Sequence, residues 1–294
     1  MRYVLLPLAL VSLACGAVST RERATPPRPL VLLVHGRGQL DVDTASLRRD
    51  WQRELNSSLA SVGLPRLEDG DVRLAWYADL LDPEVSNECV RPVDTLGEGG
   101  GDIGFDAIAR FIFASLVSAI PKNESRNARG VVGELLYFLD ASARCAARLR
   151  VGRQIQSALA SDRPVVVVAY SMGALVAYDY LSSADRPDLR GDLRLITLGS
   201  PLGLREIRSL LFGEALAALP RGVTSWVNVY DPGDPFAAPL GAAPPLEDRR
   251  TQTRYDGDAH YAGRYLRDAS TGAALGRALC ATSAVRLGEA CKRL

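Results

Sequence analysis

The stretch Val165-Val166-Val167-Val168-Ala169-Tyr170-Ser171-Met172-Gly173-Ala174 runs from a strand-like apolar segment, through small-x-Ser-x-Gly, into an apolar helical pattern. A sharp strand-to-helix turn of this kind holds a serine in a strained backbone and presents its hydroxyl as a nucleophile. The residues two before and two after that serine must be small to avoid collision, and Ala169 and Gly173 are. Ala169 departs from the usual glycine by a single methyl group. A serine hydroxyl attacks poorly until an imidazole takes its proton, and the chain has only two histidines, His35 and His260. Such an imidazole needs an acid to orient it, and Trp226-Val227-Asn228-Val229-Tyr230-Asp231-Pro232-Gly233-Asp234-Pro235-Phe236, a strand-like run into a turn, offers both Asp234 and Asp231. Other chemistries find little footing. There is no HExxH, the histidines are far apart, and Asp41-Val42-Asp43 reads as a solvated loop, so no metal and no cofactor are expected. Gly99, Gly101 and Gly104 satisfy GxGxxG, but no strand precedes them and no βαβ unit surrounds them.

A second segment, Leu30-Val31-Leu32-Leu33-Val34-His35-Gly36-Arg37-Gly38, is a strand ending in His-Gly. Together with the serine turn it resembles the α/β-hydrolases, and the resemblance extends from about Leu30 to Tyr265. It implies an oxyanion hole made by the backbone N–H groups of Arg37 and Met172, with His35 and Gly36 shaping the loop rather than acting in proton transfer. It also implies that the histidine follows the serine and the acid in chain order, which leaves His260, in Asp256-Gly257-Asp258-Ala259-His260-Tyr261, as general base. Asp234 before Pro235 and an apolar residue is similar to the Asp-Pro-Val of many members and is the preferred acid. Asp231 is the second choice. The sequence around His35 and Asp234 looks more like lipase-like and esterase-like members than like peptidases, which implies a small-molecule or lipid ester as substrate.

These residues need elements to hold them. Strands are expected at Leu30–Val34, Asp71–Tyr77, Val165–Ala169, Leu193–Leu198 and Ser225–Tyr230, with helices at Thr44–Ala60, Met172–Leu181 and Leu204–Ala218. The alternation predicts an α/β fold, a mostly parallel sheet covered by helices on both faces, with a helical insertion between strands. That insertion, residues 82–160, contains the loop Gly97–Gly104, an apolar helix Phe105–Ile120 stopped by Pro121, and one long helix, or two joined near Gly152, over 131–160. The domain itself is taken as residues 30–294, after a polar, Pro-rich spacer at 15–29.

The first 14 residues resemble a bacterial signal peptide: Arg2, an apolar run from Val4, then small residues before Cys15. The run is shorter than the about 20 residues that span a bilayer. Ser12-Leu13-Ala14-Cys15 reads either as a lipobox, with Ser12 where leucine is usual and Cys15 lipidated, or as a plain cleavage site. Export to the cell envelope or beyond is expected either way, with membrane attachment only through a lipid on Cys15. Four cysteines remain, Cys89, Cys145, Cys280 and Cys291, enough for two disulfides in any of three connectivities. Pairing Cys280 with Cys291 closes a short loop, and pairing Cys89 with Cys145 ties down the insertion.

Composition agrees with a globular chain of 294 residues, 47% hydrophobic and 23% charged. The net charge of +1 is scattered rather than gathered into a stripe, so nucleic acid is not expected as a partner. Asn56 and Asn123 lie in glycosylation sequons, which carry no meaning if the source is bacterial, as the signal-like first segment implies. The sequence therefore predicts an exported serine hydrolase of hydrophobic carboxylic esters. Its alternatives are an acyltransferase or thioesterase with the same triad, or a catalytically silent envelope lipoprotein that binds a ligand or partner.

Overall fold

A computed structural model describes residues 28–82, 89, 137–213, 218–241, 245–252 and 259–292, with the backbone alone for 282–290. The signal segment with Cys15, the Gly97–Gly104 loop, the Phe105–Ile120 helix, Asn123 and Asp256–Asp258 lie outside the described residues.

Runs of Val and Leu buried on both sides form the centre of a six-stranded parallel sheet. Its strands are β1 (Leu30–Val34), β2 (Val72–Ala75), β3 (Val165–Tyr170), β4 (Leu193–Leu198), β5 (Val223–Tyr230) and β6 (Leu246–Arg250). They lie in the order β2-β1-β3-β4-β5-β6, every pair parallel. The chain thus leaves β1 in one direction, to β2, and then crosses to its other side for β3 onward. The crevice at the carboxyl ends of β1 and β3 is the switch point at which such sheets hold ligands.

Alternate side chains of each strand enter opposite layers. Leu30, Leu32, Val34, Val165, Val167 and Ala169 pack on one face, and Val31, Leu33, Val166, Val168 and Tyr170 on the other. The first face is covered by α2 (Ala141–Leu159) and α3 (Met172–Ser182), the second by α1 (Thr44–Ser61), α5 (Ala262–Arg267) and α6 (Ala269–Cys291). Each Val or Leu removed from water in this way contributes about 1.5–3 kcal/mol before entropy is counted. Helix α4 (Arg205–Phe212) follows β4.

Local signals account for most boundaries. Asp43, taken from sequence as part of a solvated loop, is the N-cap of α1 and accepts from the Ser46 N–H at 2.9 Å. Asn56 is buried, and its amide clamps the backbone of Leu67 through both of its polar atoms. Helix α2 runs unbroken through Gly152, where the absent side chain makes room for the Tyr180 ring. Helix α4 is shorter than the sequence predicts, stopping at Phe212 where Gly213 turns to φ 71°, and Ala218 is not helical. β2 is likewise trimmed to Val72–Ala75.

Two elements escape sequence patterning. β6, Leu-Glu-Asp-Arg-Arg, is an edge strand whose charges guard its open side. Its Asp248 accepts the amides of Leu240 and Gly241, shaping the loop that follows β5. α6 is rich in Ala and Gly and lacks an apolar stripe that would announce a helix.

Both disulfides form, Cys89–Cys145 with Cα atoms 5.9 Å apart and Cys280–Cys291 with 5.6 Å. Cys145 is buried on α2 beside Arg144, which pairs with Asp179 of α3 at 2.8 Å, and Tyr137 donates to the same carboxylate. The bridge and the buried ion pair thereby anchor the start of α2. Closing 56 residues of sequence separation removes unfolded-chain entropy worth about 4 kcal/mol. Replacing Cys89 and Cys145 by serine is expected to lower the unfolding free energy by about that amount; urea denaturation of the double variant beside wild type measures it, and equal midpoints would refute it.

Candidate active site

Ser171 sits between β3 and α3 with φ 53° and ψ −124°, one of two non-glycine residues with positive φ among the described residues. Such a conformation costs about 1–3 kcal/mol and persists only where its surroundings impose it. Here β3 is fully buried, the Ser171 N–H donates to the Leu198 carbonyl of β4 at 2.9 Å, and α3 is buried along nearly its whole length. Gly173 explains how the helix can approach: a Cβ there would lie 2.3 Å from the His35 carbonyl oxygen and 2.6 Å from that of Val34. Ala169 is buried in the sheet, and its methyl group is accommodated.

The turn aims Ser171 at His260, with Oγ 2.7 Å from Nε2. His260 Nδ1 is 2.8 Å from Asp234 Oδ2. A carboxylate can only accept, so Nδ1 carries the hydrogen, and Nε2 is left with a lone pair that accepts from the Ser171 hydroxyl. Three residues from three separate segments thus form one hydrogen-bonded relay, each of them buried. Phe236 stands edge-on to the imidazole at 4.9 Å between centroids, and the hydroxyl of Tyr170 donates to the His260 carbonyl.

Asp231, the other acid the sequence offers, faces elsewhere. It forms an ion pair with Arg264 of α5, both side chains being almost wholly buried, and accepts the Gly233 N–H at 2.8 Å. Asp231 therefore braces the turn, while Asp234, three residues on, reaches the imidazole.

His35 is buried at the end of β1, stacked on Tyr77 at 4.2 Å. Its Nε2 accepts the Tyr77 N–H at 3.2 Å, which leaves Nδ1–H to donate to the Gly36 carbonyl at 2.6 Å. The loop it holds passes beside the serine: a Cβ on Gly36 would lie 3.2 Å from that of Ser171. Arg37 follows directly, and its guanidinium lies 5.6 Å from the centre of the Phe236 ring. Met172 opens α3, so its N–H has no acceptor within the helix.

Three supporting residues have no distinct sequence signal, Tyr170, Arg264 and Tyr265, and Phe236 is legible only as the apolar residue after Pro235. Tyr265 donates to Asp234 Oδ2 at 2.6 Å. Each acts across a distance in sequence that periodicity does not reveal. Among the described residues no cluster of three or more His, Cys, Asp or Glu side chains comes together as a metal site, and no helix is long and apolar enough to cross a membrane. No family model matches the chain, and no curated protein matches its sequence.

Burial lowers the His35 imidazole from its usual 6.5 to about 4, although its bond to Gly36 works the other way. Between those values the unfolded chain holds the proton and the folded protein does not, so this residue's stabilising contribution is full above pH 6.5 and declines as pH falls toward 4. With only two histidines, imidazole NMR resolves the point: His35 is expected to keep its Nδ1–H tautomer and show no titration above about pH 5. A midpoint near 6.5 would contradict the burial and bonding described.

Proposed function

We propose that this chain is a serine hydrolase with an α/β-hydrolase fold, cleaving carboxylic esters through an acyl-enzyme. The observation that carries the reading is the continuous relay Ser171 Oγ–His260 Nε2, His260 Nδ1–Asp234 Oδ2, at 2.7 and 2.8 Å, on a serine bent to positive φ at the switch point of a parallel sheet.

In this mechanism Ser171 Oγ attacks the ester carbonyl carbon as its proton passes to His260 Nε2. The carbonyl π pair moves onto oxygen, and the amides of Met172 and Arg37 stabilise that charge. Collapse of the tetrahedral intermediate breaks the carbon–oxygen bond to the alcohol, which takes the proton from the imidazolium. Water then repeats the sequence on the acyl-serine, with His260 again base and then acid, and releases the carboxylic acid. Asp234 keeps the imidazole in its tautomer and stabilises the imidazolium without taking a proton.

A hydrophobic or lipid ester is favoured by the resemblance to lipase-like members. The surroundings of the imidazole support it, with Phe236 against the ring and Tyr261, next in chain, 57% exposed. Two disulfides support an oxidising location, as expected of an exported protein with a signal peptide and either a lipidated Cys15 or a plain cleavage site.

Labelling with a fluorophosphonate probe and turnover of a short-to-long nitrophenyl ester series test the proposal. Wild type should label, and Ser171→Ala should not. Asp234→Asn should lower kcat by about 10⁴-fold, whereas Asp231→Asn should act chiefly on stability by stranding Arg264. A folded wild-type sample that neither labels nor turns over any ester would sink the hydrolase reading.

A further inference from the structure

Oδ2 of Asp234 serves two donors. It accepts from His260 Nδ1–H at 2.8 Å and from the Tyr265 hydroxyl at 2.6 Å, while Oδ1 accepts the Phe236 N–H at 2.8 Å. Tyr265, on α5, is completely buried, and its hydroxyl also accepts the Asp231 N–H at 3.1 Å. Burial, then the neighbouring Asp234 charge, push this phenol far above its ordinary range, so it remains a proton donor. The ring occupies space vacated at Gly199, where a Cβ would come within 2.8 Å of it.

Packing accounts for an aromatic ring at this position. An acceptor for the Asp231 N–H accounts for an oxygen there, but not for the direction of its own O–H, which is donated to the one carboxylate oxygen that also holds the imidazole.

We infer that Tyr265 is a positioning residue for the Ser171–His260–Asp234 relay, its hydroxyl fixing Asp234 Oδ2 in line with His260 Nδ1 and drawing off part of the carboxylate charge. The inference rests on the hydrolase reading for its catalytic meaning. A carboxylate oxygen that accepts two hydrogen bonds is a weaker partner for each than one that accepts a single bond. Removing the phenol hydroxyl leaves Oδ2 to the imidazole alone, favouring the imidazolium, and frees the carboxylate to rotate. The first effect moves the pH dependence, and the second lowers kcat. The titratable and charged groups near His260 include Ser171, Asp234, Tyr170, Tyr265, the neighbouring Tyr261, the Asp231–Arg264 pair and, beyond Phe236, Arg37. Tyr265→Phe retains the ring and every charged group, and besides the bond to Asp234 it removes only the acceptor of the Asp231 N–H.

For a nitrophenyl ester, Tyr265→Phe is expected to lower kcat about tenfold at unchanged KM and to move the acid limb of kcat/KM upward by about half a unit to one unit. The His260 imidazole resonance of the free protein should show the same upward displacement, which reads the positioning role without any substrate. In an Asp234→Ala background, Tyr265→Phe should leave that resonance unmoved, because the hydroxyl acts through the carboxylate. Unshifted titration in the single variant, or an equal effect with and without Asp234, would overturn the inference and reduce Tyr265 to packing. The hydrolase reading fails separately: a wild type without labelling or turnover refutes it, while a shifted imidazole in that same protein still supports Tyr265 as the residue that positions Asp234.

Discussion

The backbone of Ser171 is bent against its own preference, and much of the described structure can be understood as what holds it there. A left-handed φ on a residue with a side chain is paid for by neighbours that cannot yield. On one side stands β3, buried on both faces and hydrogen-bonded between β1 and β4. On the other is α3, apolar around its circumference and therefore unable to leave the interior without exposing it. Gly173 lets that helix press against the end of β1, and this brings the His35-Gly36-Arg37 loop alongside the serine. Close packing, presentation of the Ser171 hydroxyl and approach of the loop are consequences of one turn.

The two histidines show how environment, rather than residue type, assigns a role. His35 is enclosed by Tyr77 and by backbone, with both ring nitrogens engaged by main-chain groups, so it serves as a neutral structural strut. His260 has a carboxylate on one nitrogen and a hydroxyl on the other, the arrangement in which an imidazole can accept a proton and have the resulting charge stabilised. The aspartates divide similarly. Asp231 meets a guanidinium and becomes part of the brace, whereas Asp234 meets the imidazole and the Tyr265 hydroxyl. Main-chain hydrogen bonds within the loop set the spacing between them, since the Asp234 N–H donates to the Asp231 carbonyl at 3.0 Å.

Helix α5 has a part larger than its six residues suggest. It carries Arg264 to Asp231 and Tyr265 to Asp234, so that a single short element sets both acids while the segment just before it supplies His260. Tyr170, preceding Ser171, bonds to the His260 carbonyl and thereby ties the histidine segment to the serine turn. Side chain and backbone of His260 are thus fixed from opposite ends of the site.

Much of this was legible in the sequence because its signals are local. Continuous Val/Leu runs and three mixed, strand-like segments announced five strands, the small residues flanking Ser171 announced the strained turn, and a count of histidines left one imidazole for proton transfer in the α/β-hydrolase resemblance. β6 and α6 were hidden because an edge strand is charged and an Ala/Gly-rich helix has little periodicity. Pairing among the four cysteines was open, since spacing constrains a loop but does not select its partner. By itself the sequence determined residue types, strand runs and the turn, all governed by neighbours along the chain. Only the tertiary structure decided that Asp234 rather than Asp231 meets His260, that Cys89 joins Cys145, and that Tyr265 shares the acid. Those choices depend on distances between segments far apart in the chain, which are set when the sheet and its helices pack.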